Sequence, residues 1–250
     1  MDYLNYGNKV QQKPQGFGQQ KVELNKNDFS FGNLVDKYPT QLPSSSKNKI
    51  IPIFPTPIFY SSYPENYNNE LDWIYKQKYE ISRDKLRNSQ SEDTFILDRP
   101  EMLRIKKFID SKLKEFMYSI MGSDDEVVIT QSWLNINAKG QFHNEHYHLN
   151  SIVSGVWYPK VNEQSPPIKF IKGIQRDIEF SVREFTNFNS GAFDLPLKKG
   201  DLILFPSNLR HLVPTNQSDE ERISLSFNTW CKGNLGDKKL LTYLPMDRCV

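Results

Sequence analysis

Val127-Val128-Ile129-Thr130-Gln131-Ser132-Trp133-Leu134-Asn135-Ile136-Asn137 opens a series of short runs rich in β-branched and aromatic residues. It marks a change of period. Before Gly122 apolar residues recur at helical spacing, whereas after it they come in strand-like runs divided by turn residues. Further runs are Ile152 to Tyr158, Ile168 to Ile171, Ala192 to Leu195, Leu202 to Phe205, Arg210 to Val213 and Ile223 to Trp230. Such a series, preceded by two helices, predicts a mainly β fold with flanking helices, a sandwich or jelly roll whose outer face the helices cover.

Upstream, Met102, Ile105, Ile109, Leu113, Phe116 and Ile120 define one apolar stripe that ends at Gly122. Asp98 stands where an N-cap would, ahead of Pro100 in the first turn. Leu71, Ile74, Tyr75 and Lys78, with Glu70 and Asp72 near the start, predict an earlier helix from about Tyr67 to Arg83. A polar loop through Ser89-Gln90-Ser91-Glu92 separates the two. The stretch from Ile50 to Tyr60 carries three prolines, which forbid a helix and allow an extended edge strand.

Residues 1–48 are rich in Asn, Gln, Lys, Gly and Ser and bury too little to offset backbone entropy. They are expected to form a low-complexity, flexible tail or a partner-binding arm. The folded domain is expected over residues 49–235, with residues 236–250 as a C-terminal extension. The charge balance is 32 basic to 30 acidic residues, a net +2, too even for a long phosphate-tracking surface. At 37% apolar, with no apolar run near the ~20 residues that span a bilayer, no membrane embedding is expected. Cys231 and Cys249 are the only cysteines, so thiolates can build neither a disulfide scaffold nor a structural zinc site, and a reducing, cytoplasmic setting is expected.

The four histidines are the main chemical signal. His143, His146 and His148 fall within six residues. In an extended strand, residues two apart share a face, so His146 and His148 present two imidazoles together. His143 has the wrong parity unless the strand bulges. The remaining histidine, His211, starts a strand after the turn Pro206-Ser207-Asn208-Leu209-Arg210 and can bring a third imidazole to the mouth of a sandwich. Arg222 and Ser224 then share one face of an otherwise apolar strand. An arginine projecting into a sandwich needs an anionic partner, either an internal carboxylate such as Asp201 or Glu220, or a bound one. Its planar fork suits a carboxylate, and Ser224 can add a hydroxyl.

His-x-His, a distal histidine and a following Arg-x-Ser resemble the site pattern of the Fe(II)- and 2-oxoglutarate-dependent oxygenases. Phe54-Pro55-Thr56-Pro57-Ile58, Trp133-Leu134-Asn135-Ile136-Asn137, His146-Tyr147-His148-Leu149-Asn150-Ser151, Ser154-Gly155-Val156-Trp157-Tyr158 and Gly200-Asp201-Leu202-Ile203-Leu204-Phe205-Pro206-Ser207 resemble a branch of that superfamily common in marine phages and bacteria. The resemblance runs from about Ile51 to Trp230. It implies a double-stranded β-helix, of jelly-roll or cupin-like form. It further implies His146, His148 and His211 as Fe(II) ligands and catalytic centre, and Arg222 with Ser224 as holders of the 2-oxoglutarate carboxylate. Tyr158 and Asn135 are lesser co-substrate candidates. The implied partners are O2 and a small-molecule or peptidyl substrate.

One departure is His148, where most of the superfamily has a carboxylate. An imidazole there softens the ligand set toward zinc, nickel or copper. Glu145, in the alternative register His143-x-Glu145, would restore a carboxylate but conflicts in parity with His146. Two other readings stay open on the sequence. One is a three-histidine cupin-type dioxygenase without a keto acid, for which the motif's later glutamate is missing. The other is a non-catalytic jelly-roll module that binds a metal and a partner.

Overall fold

The computed structural model describes residues 53–80, 82, 84–173 and 181–248. The segment 1–48, and with it the expected tail, lies outside them. Two antiparallel sheets face each other. The larger contains β1 (Phe59–Ser62), β2 (Tyr79–Glu80), β3 (Ser89–Ser91), β4 (Val127–Asn137), β6 (Val153–Lys160), β9 (Asp201–Pro206) and β11 (Arg222–Cys231), in the order β1-β9-β6-β11-β4-β3-β2. The smaller contains β5 (His143–His146), β7 (Ile168–Ile171), β8 (Ala192–Leu195) and β10 (His211–Val213), in the order β5-β10-β7-β8. This is a jelly roll, and all seven runs expected after Gly122 are strands within a residue or two of their expected bounds.

The two faces of the large sheet do different work. Odd positions of β11, Ile223, Leu225 and Phe227, join Leu134, Trp157, Leu202 and Leu204 in a core shared with Ile105, Ile109, Leu113 and Phe116 of α2 (Leu103–Ser119). Each of those large side chains is essentially inaccessible to solvent, and burial stabilises each by roughly 1.5–3 kcal/mol. Even positions, Arg222, Ser224 and Ser226, face the small sheet. Their cross-strand partners on β4 are Asn137, Asn135 and Trp133. Period-two alternation therefore separates an apolar helix-facing layer from an interior that is polar along β4 and β11 and apolar where Val156, Ile203 and Phe205 meet Ile168 and Phe170.

Gly155 shows how tightly β6 and β11 approach. A Cβ there would collide with the Phe227 ring and lie 2.7 Å from a Leu204 methyl. Gly200 has φ +90° and turns the chain into β9, its N–H donating to Tyr158 O at 2.8 Å.

Three expectations are corrected. The early helix is only α1 (Asn68–Ile74) and does not reach Arg83, since tight turns close it: Lys76 N donates to Trp73 O, Gln77 N to Ile74 O, and the Tyr79 hydroxyl to Ile74 O. The chain then enters β2. The polar loop at 89–92 contains strand β3, paired through Ser89 to Ile136 and Gln90 to Asn135; hydrogen bonding by polar side chains stands in for apolar alternation. Asp98 does not cap α2. Two 3-10 turns, Ile96–Asp98 and Pro100–Met102, lead into it, and its N-cap position is Met102.

Candidate metal centre and carboxylate pocket

β5 and β10 pair so that His146 and His211 are Cα partners, while the next pairing is Val213 with His143. Three residues on β10 (211–213) thus span four on β5 (143–146), a bulge that cancels the parity objection to His143. His143 stacks on His146 with ring centroids 4.4 Å apart and an interplanar angle of 22°. The His146 and His211 rings lie 4.3 Å apart, His146 and His148 5.1 Å, and His148 and His211 5.2 Å. Each of His146, His148 and His211 offers a ring nitrogen, and the three nitrogens lie within 4.8 Å of one another.

The protonation pattern suits a cation. His146 Nδ1 lies 2.8 Å from Asn144 O, and His211 Nδ1 lies 2.9 Å from Leu209 O. A carbonyl can only accept, so both Nδ1 atoms carry the proton and both Nε2 lone pairs are free. Burial lowers the pKa of His148 to about 4 and of His211 to about 3, with the neighbouring His146 adding to both shifts. His146 is lowered by burial as well. His143, also at about 3, is lowered by burial first and then by His146, His211 and Arg222. All four are neutral imidazoles at pH 7, the state that ligates metals.

β5 ends at His146, so His148 lies beyond the strand and is held by other means. Its N–H donates to Ser207 O at 2.9 Å. Ser207 Oγ donates to Ser151 Oγ at 2.7 Å and lies 2.8 Å from Ser154 Oγ, which in turn donates to Asn228 Oδ1. These buried hydroxyls fasten the His148 loop to β6, β9 and β11. Sequence reasoning missed them, since their only signal is the recurrence of serine at 151, 154 and 207. Trp133 flanks His148 at 5.8 Å, and Phe205 packs edge-on against His211 at 4.9 Å. Glu145 turns away from the triad and pairs with Arg210 at 2.5 Å, which removes the alternative ligand.

Arg222 is 1% exposed. Among the described residues no carboxylate pairs with it, neither Asp201 nor Glu220. Its contacts are a long hydrogen bond from Nη1 to Ser224 Oγ at 3.4 Å and the Tyr158 ring 5.0 Å from its Cζ; Nε has no partner. Burial lowers the guanidinium pKa, partly opposed by Tyr158, and raises that of the Tyr158 hydroxyl, which makes no well-formed hydrogen bond. A buried guanidinium in this state is costly and calls for an anion. Its field reaches His143, so the cation pocket and the triad share one interior.

Both amide atoms of Asn135 are hydrogen-bonded. Its Oδ1 accepts from Asn88 Nδ2 at 2.9 Å and Gln90 Nε2 at 3.2 Å, and its Nδ2 donates to Ser226 Oγ at 3.1 Å. These bonds tie Asn135 to β3 and β11, and its second Nδ2–H leaves the expected contact with a co-substrate open. Its neighbour Asn137, which the sequence did not single out, is fully buried with both amide atoms unpartnered.

Residues 131–228 match the family model described as "Putative 2OG-Fe(II) oxygenase". Over those residues the chain carries the sequence pattern of the 2OG-Fe(II) oxygenase family. The matched span runs from β4 through β11 and contains every histidine, Arg222 and Ser224. Among solved structures this chain is similar to the non-heme alpha ketoglutarate dependent carbocyclase SnoK from nogalamycin biosynthesis, with a TM-score of 0.53 and 12% identity over 76% of this chain and 87% of that one. It is also similar to the epimerase SnoN of the same biosynthesis, with a TM-score of 0.52 and 11% identity over 70% and 78% of the two chains. At such identities these likenesses speak for the jelly-roll fold. No curated protein is matched by the sequence. Iron and 2-oxoglutarate are the cofactor and co-substrate of the family. Among the described residues no helix is long and apolar enough to cross a membrane.

Proposed function

We propose that His146, His148 and His211 hold Fe(II) and that Arg222 and Ser224, with Tyr158 against the guanidinium, hold the distal carboxylate of 2-oxoglutarate in a dioxygenase that hydroxylates its substrate. The observation that carries the assignment is Arg222, a sealed guanidinium without an internal carboxylate, in the same interior as three converging neutral imidazoles. Bound there, Fe(II) supplies the redox chemistry by which O2 decarboxylates 2-oxoglutarate to succinate and CO2 and oxidises a substrate C–H bond.

The chain's own residues supply position and exclusion. The Asn144 and Leu209 carbonyls fix the tautomers of His146 and His211, and the serine network sets His148 opposite them. Trp133 and Phe205 line the triad and keep water from it. Arg222 orients the keto acid by a bidentate, desolvated contact. The substrate is a small molecule or a peptidyl group; the near-even charge favours no nucleic acid. The sparse cysteine content fits a reducing, cytoplasmic setting.

Anaerobic thermal unfolding with Fe(II) and 2-oxoglutarate tests the reading. At a concentration ~100 times its dissociation constant the keto acid should stabilise the metal-loaded protein by about 2.7 kcal/mol. Arg222→Ala should lose that increment and keep the metal's own. A metal-loaded wild type that ignores 2-oxoglutarate, or releases no succinate with any substrate offered, would remove the assignment.

A further inference from the structure

Asn137 is the one buried side-chain amide among the described residues with both its donor and its acceptor unused. It is 0% exposed and is the Cα partner of Arg222, so the two side chains leave the β4–β11 ladder on the same face, toward the small sheet. Its backbone is well held. Asn216 Nδ2 donates to Asn137 O at 2.8 Å and to Glu220 O at 2.9 Å, while Asn216 Oδ1 accepts from Ser218 N at 3.0 Å. The residue is thus locked at its Cα while its carboxamide is left idle beside an idle Arg222 Nε.

Such an arrangement is a liability for folding alone. A buried amide with no hydrogen bond costs roughly 1–3 kcal/mol, and an apolar side chain of the same size would avoid that cost. Asn135, two residues earlier on the same face, has both its amide oxygen and its amide nitrogen hydrogen-bonded to protein, so this wall is able to engage an amide without a ligand.

We infer that Asn137 is a co-substrate-binding residue: its Nδ2 donates to the distal carboxylate that Arg222 holds, and its Oδ1 accepts from the guanidinium or the Tyr158 hydroxyl once that carboxylate is seated. The inference rests on the Arg222 assignment above and adds a specificity element to it. A carboxylate has four lone-pair directions, and a guanidinium fork with one hydroxyl leaves one unfilled. Asn137 fills it and makes the pocket demand an ionised group at that end of the keto acid.

The experiment measures the dissociation constants of 2-oxoglutarate and of 2-oxopentanoate, which lacks the distal carboxylate, in metal-loaded wild type, Asn137→Leu and Asn137→Asp under anaerobic conditions. Wild type should prefer 2-oxoglutarate strongly. Asn137→Leu should weaken 2-oxoglutarate about tenfold or more, leave 2-oxopentanoate nearly unchanged, and unfold no earlier than wild type without keto acid. Asn137→Asp places an internal carboxylate beside Arg222; it should lose 2-oxoglutarate binding, keep the metal-dependent stabilisation and raise the melting temperature of the ligand-free protein. Equal 2-oxoglutarate affinity in wild type and Asn137→Leu overturns the role of Asn137 and leaves Arg222 standing. Wild type that fails to distinguish the two keto acids overturns both. Should Asn137→Leu fold poorly, Asn137→Ala, which adds neither bulk nor charge beside Arg222, takes its place: weakened 2-oxoglutarate with unchanged 2-oxopentanoate and metal binding supports the role, and equal affinity for 2-oxoglutarate overturns it.

Discussion

His143 and His146 differ in kind although their rings stack. The bulge between them puts both imidazoles in the interior, yet only His146 joins His148 and His211 in the group whose nitrogens converge. His146→Ala should therefore abolish metal binding in an equilibrium titration, whereas His143→Ala should weaken it by less than about tenfold, through loss of one packing contact. Equal losses in both variants would enlarge the ligand set. The sequence exposed the triad because rare residues were bunched at strand spacing. It hid what holds them, because Ser151, Ser154 and Ser207 act through tertiary contacts that no local pattern encodes, and it ranked Asn135 above Asn137 because both are inward-facing asparagines of one strand. Only their hydrogen-bond partners in the folded chain separate them.

At the level of elements, long strands and the amphipathic α2 were legible from period alone, since each buries a face of its own. The short strands β2 and β3 were not. β3 gains its stability from pairing with β4, β2 from pairing with β3, and both from polar side chains such as Ser91, whose Oγ accepts from Leu134 N at 3.0 Å. α1 stops early because carbonyls at its end find local donors, while the apolar spacing that suggested Arg83 continues past it. The β6–β11 contact gives a sharp test. Gly155→Ala should cost about 1–3 kcal/mol in denaturant unfolding, since the Phe227 ring must move within a packed core. An unchanged midpoint would show that this seam yields without strain.

For the whole molecule, the buried histidines set the response to acid. Their folded-state pKa values lie below the ordinary value near 6.5, at about 3 for His143 and His211 and about 4 for His148, with His146 lowered too. The unfolded chain therefore binds more protons in this range, and stability rises with pH there. Metal-free protein should hold its full stability above about pH 6.5 and lose it progressively as the pH falls through 4 toward 3. Thermal melts across that range check it; a flat profile would mean that the imidazoles stay hydrated. Adding Fe(II) should move the loss to lower pH, because the ion competes with protons for the same nitrogens.

The way His148 is anchored has a mechanical consequence. His146 and His211 belong to the four-stranded sheet, whereas His148 is tied through Ser207 and Ser154 to the seven-stranded one. A bound ion is then a rivet through both layers of the sandwich. Amide hydrogen exchange along β5 and β10 should slow markedly on loading, with β4 and the helix-facing half of β11 nearly indifferent.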